Sequence, residues 1–125
     1  MKEDQYPLVS IVTPSFNQAK FLERTIQSVL NQDYPSIEYI IIDGGSSDES
    51  VQIINKYAKN ISYWESKKDE GQTDAINKGF SHATGEIFAW INSDDTYNPG
   101  AIRSAVSYLS NHQEIGLVYG DCNSF

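Results

Sequence analysis

Short apolar runs and amphipathic stretches alternate along this chain, and most of the apolar runs stop at a polar cluster. Leu8–Thr13, Glu38–Asp43, Ile61–Trp64, Ile87–Ile91 and Leu117–Tyr119 read as strands, being short, rich in β-branched or aromatic residues and bounded by turn formers. Segments with apolar residues at helical spacing lie between them. Such alternation leaves few options, because consecutive parallel strands need a crossover that a helix supplies. It predicts an α/β fold of Rossmann-like architecture, with a mostly parallel sheet and helices on both faces. The run Ile87-Phe88-Ala89-Trp90-Ile91 contains no polar residue, so its strand is predicted to be buried on both faces.

Local signals set the expected boundaries. Pro14 lacks the N–H of a ladder residue and is expected to stop the first strand. Asn17 is the expected N-cap of a helix from Ala19 to about Asn31, with Leu22, Ile26, Val29 and Leu30 inward. Ser46 and Glu49 have capping-box spacing at the start of the second helix, where Val51, Ile54 and Ala58 mark the apolar face. Ala75, Ile76, Phe80 and Ala83 form the inner side of the third helix, and Gly85 is its expected stop. Asn98-Pro99 is expected to open the fourth helix, whose stripe is Ile102, Ala105, Val106 and Leu109.

Charge narrows the function classes. Acidic residues outnumber basic ones 17 to 9, for a formal net charge of -8, and no basic stripe exists to neutralise a nucleic-acid backbone. An anionic small ligand would then need a cation or helix N-termini to hold it. Cys122 is the single cysteine, which excludes an intrachain disulfide and a Cys-built zinc site. Met1 to Pro7 are charged and polar, unlike a signal peptide, and no apolar run reaches membrane-spanning length. The expected location is the cytoplasm.

The carboxyl ends of the first, second and fourth strands should share one rim of the sheet, where open α/β folds bind ligands. They carry Pro14 to Asn17, Asp43 to Asp48, and Asn92 to Asp95. A carboxylate at the end of the second strand suits ribose hydroxyls or a base N–H better than a phosphate, since like charges repel. The adjacent carboxylates Asp94 and Asp95 need compensation, and a hard divalent cation with phosphate oxygens completing its shell would provide it. An isolated Asp-Asp pair is more often a solvated acidic turn. The company of two other polar loops favours a nucleoside diphosphate lying across the rim, its base near Asp43 and its phosphates near Asp94.

Five motifs in order carry a resemblance to a known family. Ser10-Ile11-Val12-Thr13-Pro14-Ser15-Phe16-Asn17 resembles "S-I-V-x-P-x-Y/F-N", and Leu22 to Gln32 resembles "L-x-x-x-I-x-S-V-L-x-Q". Asp43-Gly44-Gly45-Ser46-Ser47-Asp48 is similar to a "D-G/N-S-x-D" loop with one extra residue. Gly71 to Gly79 fits "G-x-x-x-A-x-N-x-G", and Thr84-Gly85-Glu86 precedes the acidic strand end. The chain thus resembles the N-terminal half of a family 2 glycosyltransferase with the GT-A fold. The resemblance implies one nucleotide-sugar-binding domain over residues 1–125. It places the acceptor-binding part and the catalytic base, a carboxylate, beyond Phe125. It implies donor contacts from Pro14, Phe16, Asn17, Asp43, Gly44, Asp74, Asn92 and Ser93, with Asp43 at the base, usually uracil. It also implies Mn²⁺ or Mg²⁺ held by Asp94 with Asp95. The implied partners are a nucleotide diphosphate sugar, with UDP favoured, and a saccharide or lipid-linked acceptor. The latter is compatible with peripheral association at the inner face of a membrane.

Two positions depart from the family pattern. The "D-x-D" reads Asn92-Ser93-Asp94, so its first carboxylate is an amide, and Ile76 replaces the frequent Arg of "A-R-N". Asp74 is explained equally well by the dipole of the third helix, and Asp48 by a cap. Asp121 is a late carboxylate available as a base, and a strand-end role suits it better. Trp64 and Trp90 are expected in the core, and His82 and His112 on the surface; Lys67-Lys68 is a solvated pair whose loop borders the rim. A phosphoacceptor module would need an acidic pair after the first strand, and a dinucleotide-binding domain a Gly-rich fingerprint there; Thr13-Pro14-Ser15 offers neither. The competing reading is a non-catalytic fragment that binds the nucleotide sugar without transferring it.

Overall fold

The computed structural model describes residues 6–111. The expected last strand at Leu117–Tyr119, together with His112, Asp121, Cys122 and Phe125, lies outside the described residues. Within them, strands β1 (Val9–Ser15), β2 (Ile37–Asp43), β3 (Tyr63–Ser66) and β4 (Ile87–Trp90) alternate with helices α1 (Ala19–Leu30), α2 (Ser50–Lys56), α3 (Gln72–Ser81) and α4 (Ala101–Asn111). A 3-10 turn, Ala58–Asn60, follows α2. The sheet order is β3-β2-β1-β4, and every pairing is parallel.

Side-chain alternation along the strands builds two apolar layers. Val9 and Ile11 of β1, Tyr39 and Ile41 of β2, and Ala89 and Ile91 pack on one face with Leu22, Ile26 and Val29 of α1, Ile54 of α2, and Ile102 and Val106 of α4. Val12, Ile40 and Ile42 point to the other face and meet Ala75 and Phe80 of α3. The placement of α3 follows from chain direction. Strands β1 to β3 are laid down in one direction and β4 on the far side of β1, so a right-handed crossover places α3 on the opposite face. Gly79 permits the close approach, because a Cβ there would overlap Val12 Cγ1. Trp64 and Trp90 are half-buried against these layers, as expected, and His82 is exposed, stacked on Tyr63 at 3.9 Å between ring centroids.

Several local expectations give way to tertiary geometry. Pro14 does not end β1, which continues to Ser15. The N–H groups of Val9 and its alternates face β2, so the position of Pro14 faces the β4 side, and β4 pairs only as far as Val12↔Trp90. The missing donor therefore lies past the end of that neighbour. The third strand is displaced to Tyr63–Ser66, in register with Ile40 to Asp43 of β2. The fourth strand is not buried on both faces: among the described residues it is an edge, and of its four positions only Ala89 is buried. Gly85 is not the stop of α3, which ends at Ser81. A Cβ at Gly85 would lie 2.6 Å from the Leu8 carbonyl oxygen, so the residue serves the close passage of the chain beside β1. Helix α4 opens at Ala101 rather than at Pro99, with Gln32 Oε1 accepting from the Ile102 N–H at 3.1 Å.

Candidate functional site

The register brings Ser15 of β1, Asp43 of β2 and Ser66 of β3 level at the carboxyl edge. The strand order reverses between β1 and β4, which makes their carboxyl ends the switch point where such sheets bind ligands. A cleft of about 460 Å³ opens there. Its walls are the β1 end (Pro14, Ser15, Phe16, Gln18), Gly44, the loop and first turn around α3 (Lys68, Asp69, Gly71, Gln72, Ala75) and the β4 end (Asn92, Ser93, Asp94). Of the sequence-predicted residues, Pro14, Phe16, Gly44, Asn92, Ser93 and Asp94 converge on this cleft. Asn17, Asp43, Asp74 and Asp95 are not among the residues that line it. The catalytic base expected beyond Phe125 falls outside the described residues.

Each of those four side chains or backbones has other work. Asp43 is fully buried, and its carboxylate accepts from the Gly45 N–H (3.1 Å), the Ser46 N–H (2.8 Å), the Ser46 hydroxyl (2.6 Å) and the Ser66 hydroxyl (2.8 Å). It braces the loop whose Gly44 forms cleft wall. Asn17 is not the cap of α1. It adopts a positive φ of 52° and locks the same loop from the other side, its Oδ1 accepting from the Ser47 N–H at 2.9 Å and its N–H donating to Ser46 Oγ at 2.8 Å. Asp74 accepts from the Glu70 N–H at 2.9 Å and pairs with Lys78 at 3.5 Å. The Asp95 carbonyl accepts from Thr25 Oγ1 at 2.5 Å, which ties the β4 end to α1.

Asp48 supplies the cap that Asn17 does not. One oxygen accepts from the Ala19 N–H at the start of α1 (3.0 Å), the other from the Ser50 N–H at the start of α2 (2.9 Å). The expected Ser46–Glu49 capping box is therefore not formed. Burial pushes the Asp48 carboxyl up, but hydrogen bonds from Ser50 and from the Ala19 N–H outweigh it and hold the group below the usual carboxylate range.

On the opposite wall, Gln72 Nε2 contacts Asn92 Oδ1, linking the first residue of α3 to the β4 end. Reading the sequence missed Gln72 and Asp69, which have no motif of their own and reach the site only because α3 crosses the sheet. The spacing from Asp69 to Gly71 was the available signal, since a loop entering a helix at the strand edge must border the rim. Lys68, placed beside the rim by sequence, does line the cleft.

Among the described residues, no three His, Cys, Asp or Glu side chains gather into a metal cage. The donor set nevertheless fits a hard divalent ion of the kind held by one or two carboxylates plus ligand phosphates. Asp94 is exposed on the cleft, Asp69 shares it, and the Asp94 carboxylate has no hydrogen-bond partner among the described residues.

Comparisons with known proteins agree with this geometry. The family model described as glycosyl transferase family 2 matches residues 10–121. An uncharacterized glycosyltransferase of Mycobacterium tuberculosis is 38% identical over 116 residues, covering 91% of this chain and 44% of that protein. Another, from Rickettsia typhi, is 37% identical over 111 residues, covering 88% of this chain and 35% of that one. This chain thus spans less than half the length of these relatives. Among solved structures, S. aureus TarS 1-349 in complex with UDP-GlcNAc superposes with a TM-score of 0.77 at 24% identity, covering 85% of this chain and 32% of that one. The mannosyltransferase PcManGT from Pyrobaculum calidifontis, in complex with GDP-Man and Mn2+, superposes with a TM-score of 0.77 at 25% identity, covering 83% and 32%. With its α/β sheet folded as in GT-A glycosyltransferases and the family pattern running through nearly all of it, the chain belongs to glycosyl transferase family 2.

Proposed function

We propose that this chain is a nucleotide-sugar-binding domain, over residues 1–125, of a divalent-metal-dependent glycosyltransferase. It takes a nucleoside diphosphate sugar, with UDP favoured, and serves transfer with inversion to a saccharide or lipid-linked acceptor in the cytoplasm or at the inner face of a membrane. The catalytic base belongs to the part of such an enzyme that follows Phe125, and the share of the work done here is to hold the donor. The observation that carries this reading is the switch-point cleft, which gathers an exposed aromatic, a lysine and a carboxylate without a hydrogen-bond partner among the described residues into one space of about 460 Å³. That volume suits a small-molecule ligand.

The parts divide the ligand between them. Phe16, 57% exposed, offers an apolar face to a base, and Pro14 and Gly44 complete that end. Asp43 and Asn17 act on the base end by holding the Gly44–Ser47 loop in place. Asn92 and Ser93 border the ribose and diphosphate, and Asp74 fixes the loop that enters α3. Asp94 would hold Mn²⁺ or Mg²⁺, with Asp95 setting the turn that presents it, while the Asp69 carboxylate stands beside Gly44 at the base end and accepts from the Gly71 N–H at 3.0 Å. When bound there, the cation supplies charge stabilisation for the departing nucleoside diphosphate. Lys68 adds positive charge from the facing loop, which matters in a chain of net charge -8. The Mn2+ in the complex of the mannosyltransferase relative supports the metal assignment, and UDP-GlcNAc and GDP-Man in the two complexes support the ligand class.

Among the described residues no helix is long and apolar enough to cross a membrane. Calorimetry tests the reading directly: UDP should bind clearly with Mn²⁺ and weakly with chelator. Equal affinity in the two conditions would overturn the metal assignment. The alternative, a fragment that binds donor without transferring sugar, is separated by assaying sugar release with and without added acceptor.

A further inference from the structure

One buried hydroxyl on α1 holds the loop that carries Asp94. Thr25 is fully buried, in the inward stripe that it shares with Leu22, Ile26 and Val29. A valine of the same shape would fill that position, so packing alone gives no reason for a hydroxyl there. A threonine inside a helix often bonds a carbonyl of its own preceding turn. Thr25 Oγ1 donates instead to the Ser93 carbonyl at 3.0 Å and the Asp95 carbonyl at 2.5 Å, 68 and 70 residues further along the chain. A hydroxyl has a single proton, so the two carbonyls share it. They are the carbonyls on either side of Asp94. The Asp95 N–H donates to the Asn92 carbonyl at 3.1 Å, closing a tight turn in which Ser93 is buried and Asp94 exposed. With both flanking oxygens drawn toward α1, Asp94 is left on the cleft.

We propose that Thr25 is a positioning residue for the divalent cation: by holding the two carbonyls that flank Asp94, it fixes where that carboxylate stands. This rests on the reading of Asp94 as the metal ligand. The same helix face bonds the chain further on, where Ser28 Oγ accepts from the Tyr97 N–H at 3.0 Å and Gln32 reaches Asn98 and Ile102. Of these three side chains, Thr25 is the one whose partners adjoin Asp94. The pattern "L-x-x-x-I-x-S-V-L-x-Q" names Ser28 and Gln32 and leaves position 25 open. A cation held by one or two carboxylates and ligand phosphates has few protein ligands to spare. Any freedom in the Asp94 loop therefore lowers the fraction of molecules ready to bind it, and the apparent affinity falls by that fraction.

The test grades the donor at position 25. Thr25→Val keeps the shape and removes the proton, Thr25→Ser keeps the hydroxyl, and Thr25→Cys leaves a weak donor. Calorimetric titration of the full chain with UDP over a range of Mn²⁺ concentrations reads the Mn²⁺ needed for half of the metal-dependent binding. That concentration should rise about threefold to tenfold in Thr25→Val and stay within about twofold of wild type in Thr25→Ser. Thr25→Cys should fall between them, and it carries the comparison if Thr25→Val does not fold. The residual UDP affinity in chelator should be the same in all. Thr13→Val is the matched control, because Thr13 is equally buried and its hydroxyl bonds Tyr39 Oη at 2.8 Å, away from the Asp94 loop. It should lower the melting temperature as Thr25→Val does while leaving the Mn²⁺ requirement unchanged. An unchanged requirement in both Thr25→Val and Thr25→Cys, no recovery in Thr25→Ser, or an equal rise in Thr13→Val would each overturn the proposal. If wild type binds UDP equally with Mn²⁺ and with chelator, the metal reading itself falls. If wild type needs Mn²⁺ and only the Thr25 series is flat, that reading stands without Thr25.

Discussion

Replacing Asp43 by asparagine tests whether that residue braces a loop or touches the ligand. The substitution is nearly isosteric, so packing of the fully buried side chain is kept. One carboxylate oxygen accepts from Gly45 N–H, Ser46 N–H and Ser66 Oγ, the other from Ser46 Oγ. An amide that keeps its oxygen at the first position retains three acceptor bonds but loses their charge, and it turns an N–H toward a hydroxyl that had been donating. Hydrogen bonds to charged groups are worth about 1.5–3 kcal/mol and neutral ones about 0.5–1.5 kcal/mol. Three weakened bonds and one lost one therefore sum to about 5–7 kcal/mol. Relief of the carboxylate's desolvation, several kcal/mol for a fully buried ion, offsets most of that, leaving a net loss of about 2 kcal/mol. For a domain of this size the melting temperature should fall by about 10 °C. UDP affinity should fall with it, because the braced loop carries Gly44. Thermal melts followed by UDP titration at a temperature where the variant is folded would read both effects. A variant that melts like wild type but no longer binds UDP would place Asp43 on the ligand and refute the bracing argument.

Three further outcomes follow from other parts of the molecule. The folded state holds the Asp48 carboxyl below its ordinary range, so its contribution is present at neutral pH and lost as pH falls below about 4, where the unfolded chain takes up the proton first. The gap in melting temperature between wild type and Asp48→Asn should therefore narrow on acidification, and a gap that is constant with pH would refute the double-cap assignment. Gly79→Ala places a methyl inside the contact distance of Val12 Cγ1 and should destabilise by about 1–3 kcal/mol in urea unfolding, with no change if α3 can simply slide. Asn92→Asp still accepts from Gln72 but adds a negative charge two residues from Asp94. Mn²⁺ alone should bind about fivefold tighter in calorimetry and the UDP complex should gain less; unchanged Mn²⁺ affinity would place the metal elsewhere.

The strands and helices were legible because their signals are local. Uninterrupted apolar runs and helical stripes require no knowledge of neighbours, and of the inward residues of α1 and α4, Leu22, Ile26, Val29, Ile102, Val106 and Leu109 are buried while Leu30 and Ala105 are half-buried. The boundaries were less so, since an element ends where its partner ends. Pro14 is tolerated inside β1 only because β4 stops short beside it, and β3 takes its register from β2 rather than from the apolar run Ile61–Trp64. Gly85 looked like a helix stop because glycine commonly ends helices, yet the constraint on it comes from Leu8 and Ser10, about seventy-five residues earlier in the chain.

The site divides along the same line. That Asp94 should stand at a rim follows from a polar cluster after an apolar run, and the structure gives it an open carboxylate on the cleft. What a side chain does at that rim depends on how many donors reach it, and sequence spacing does not count donors that come from other loops. Asp43 looks like Asp94 in sequence, a carboxylate closing a buried strand, but a glycine and serine that turn back on it, and a third donor group from β3, fill its oxygens. Asn17 and Asp48 carry the same lesson in exchange: the residue expected to cap α1 instead pins the neighbouring loop, and the carboxylate of that loop reaches back to cap α1. The two loops are thus fastened to each other before any ligand arrives. The cleft beside them is pre-formed on that side, and across it Asp94 keeps an exposed carboxylate with no hydrogen-bond partner among the described residues.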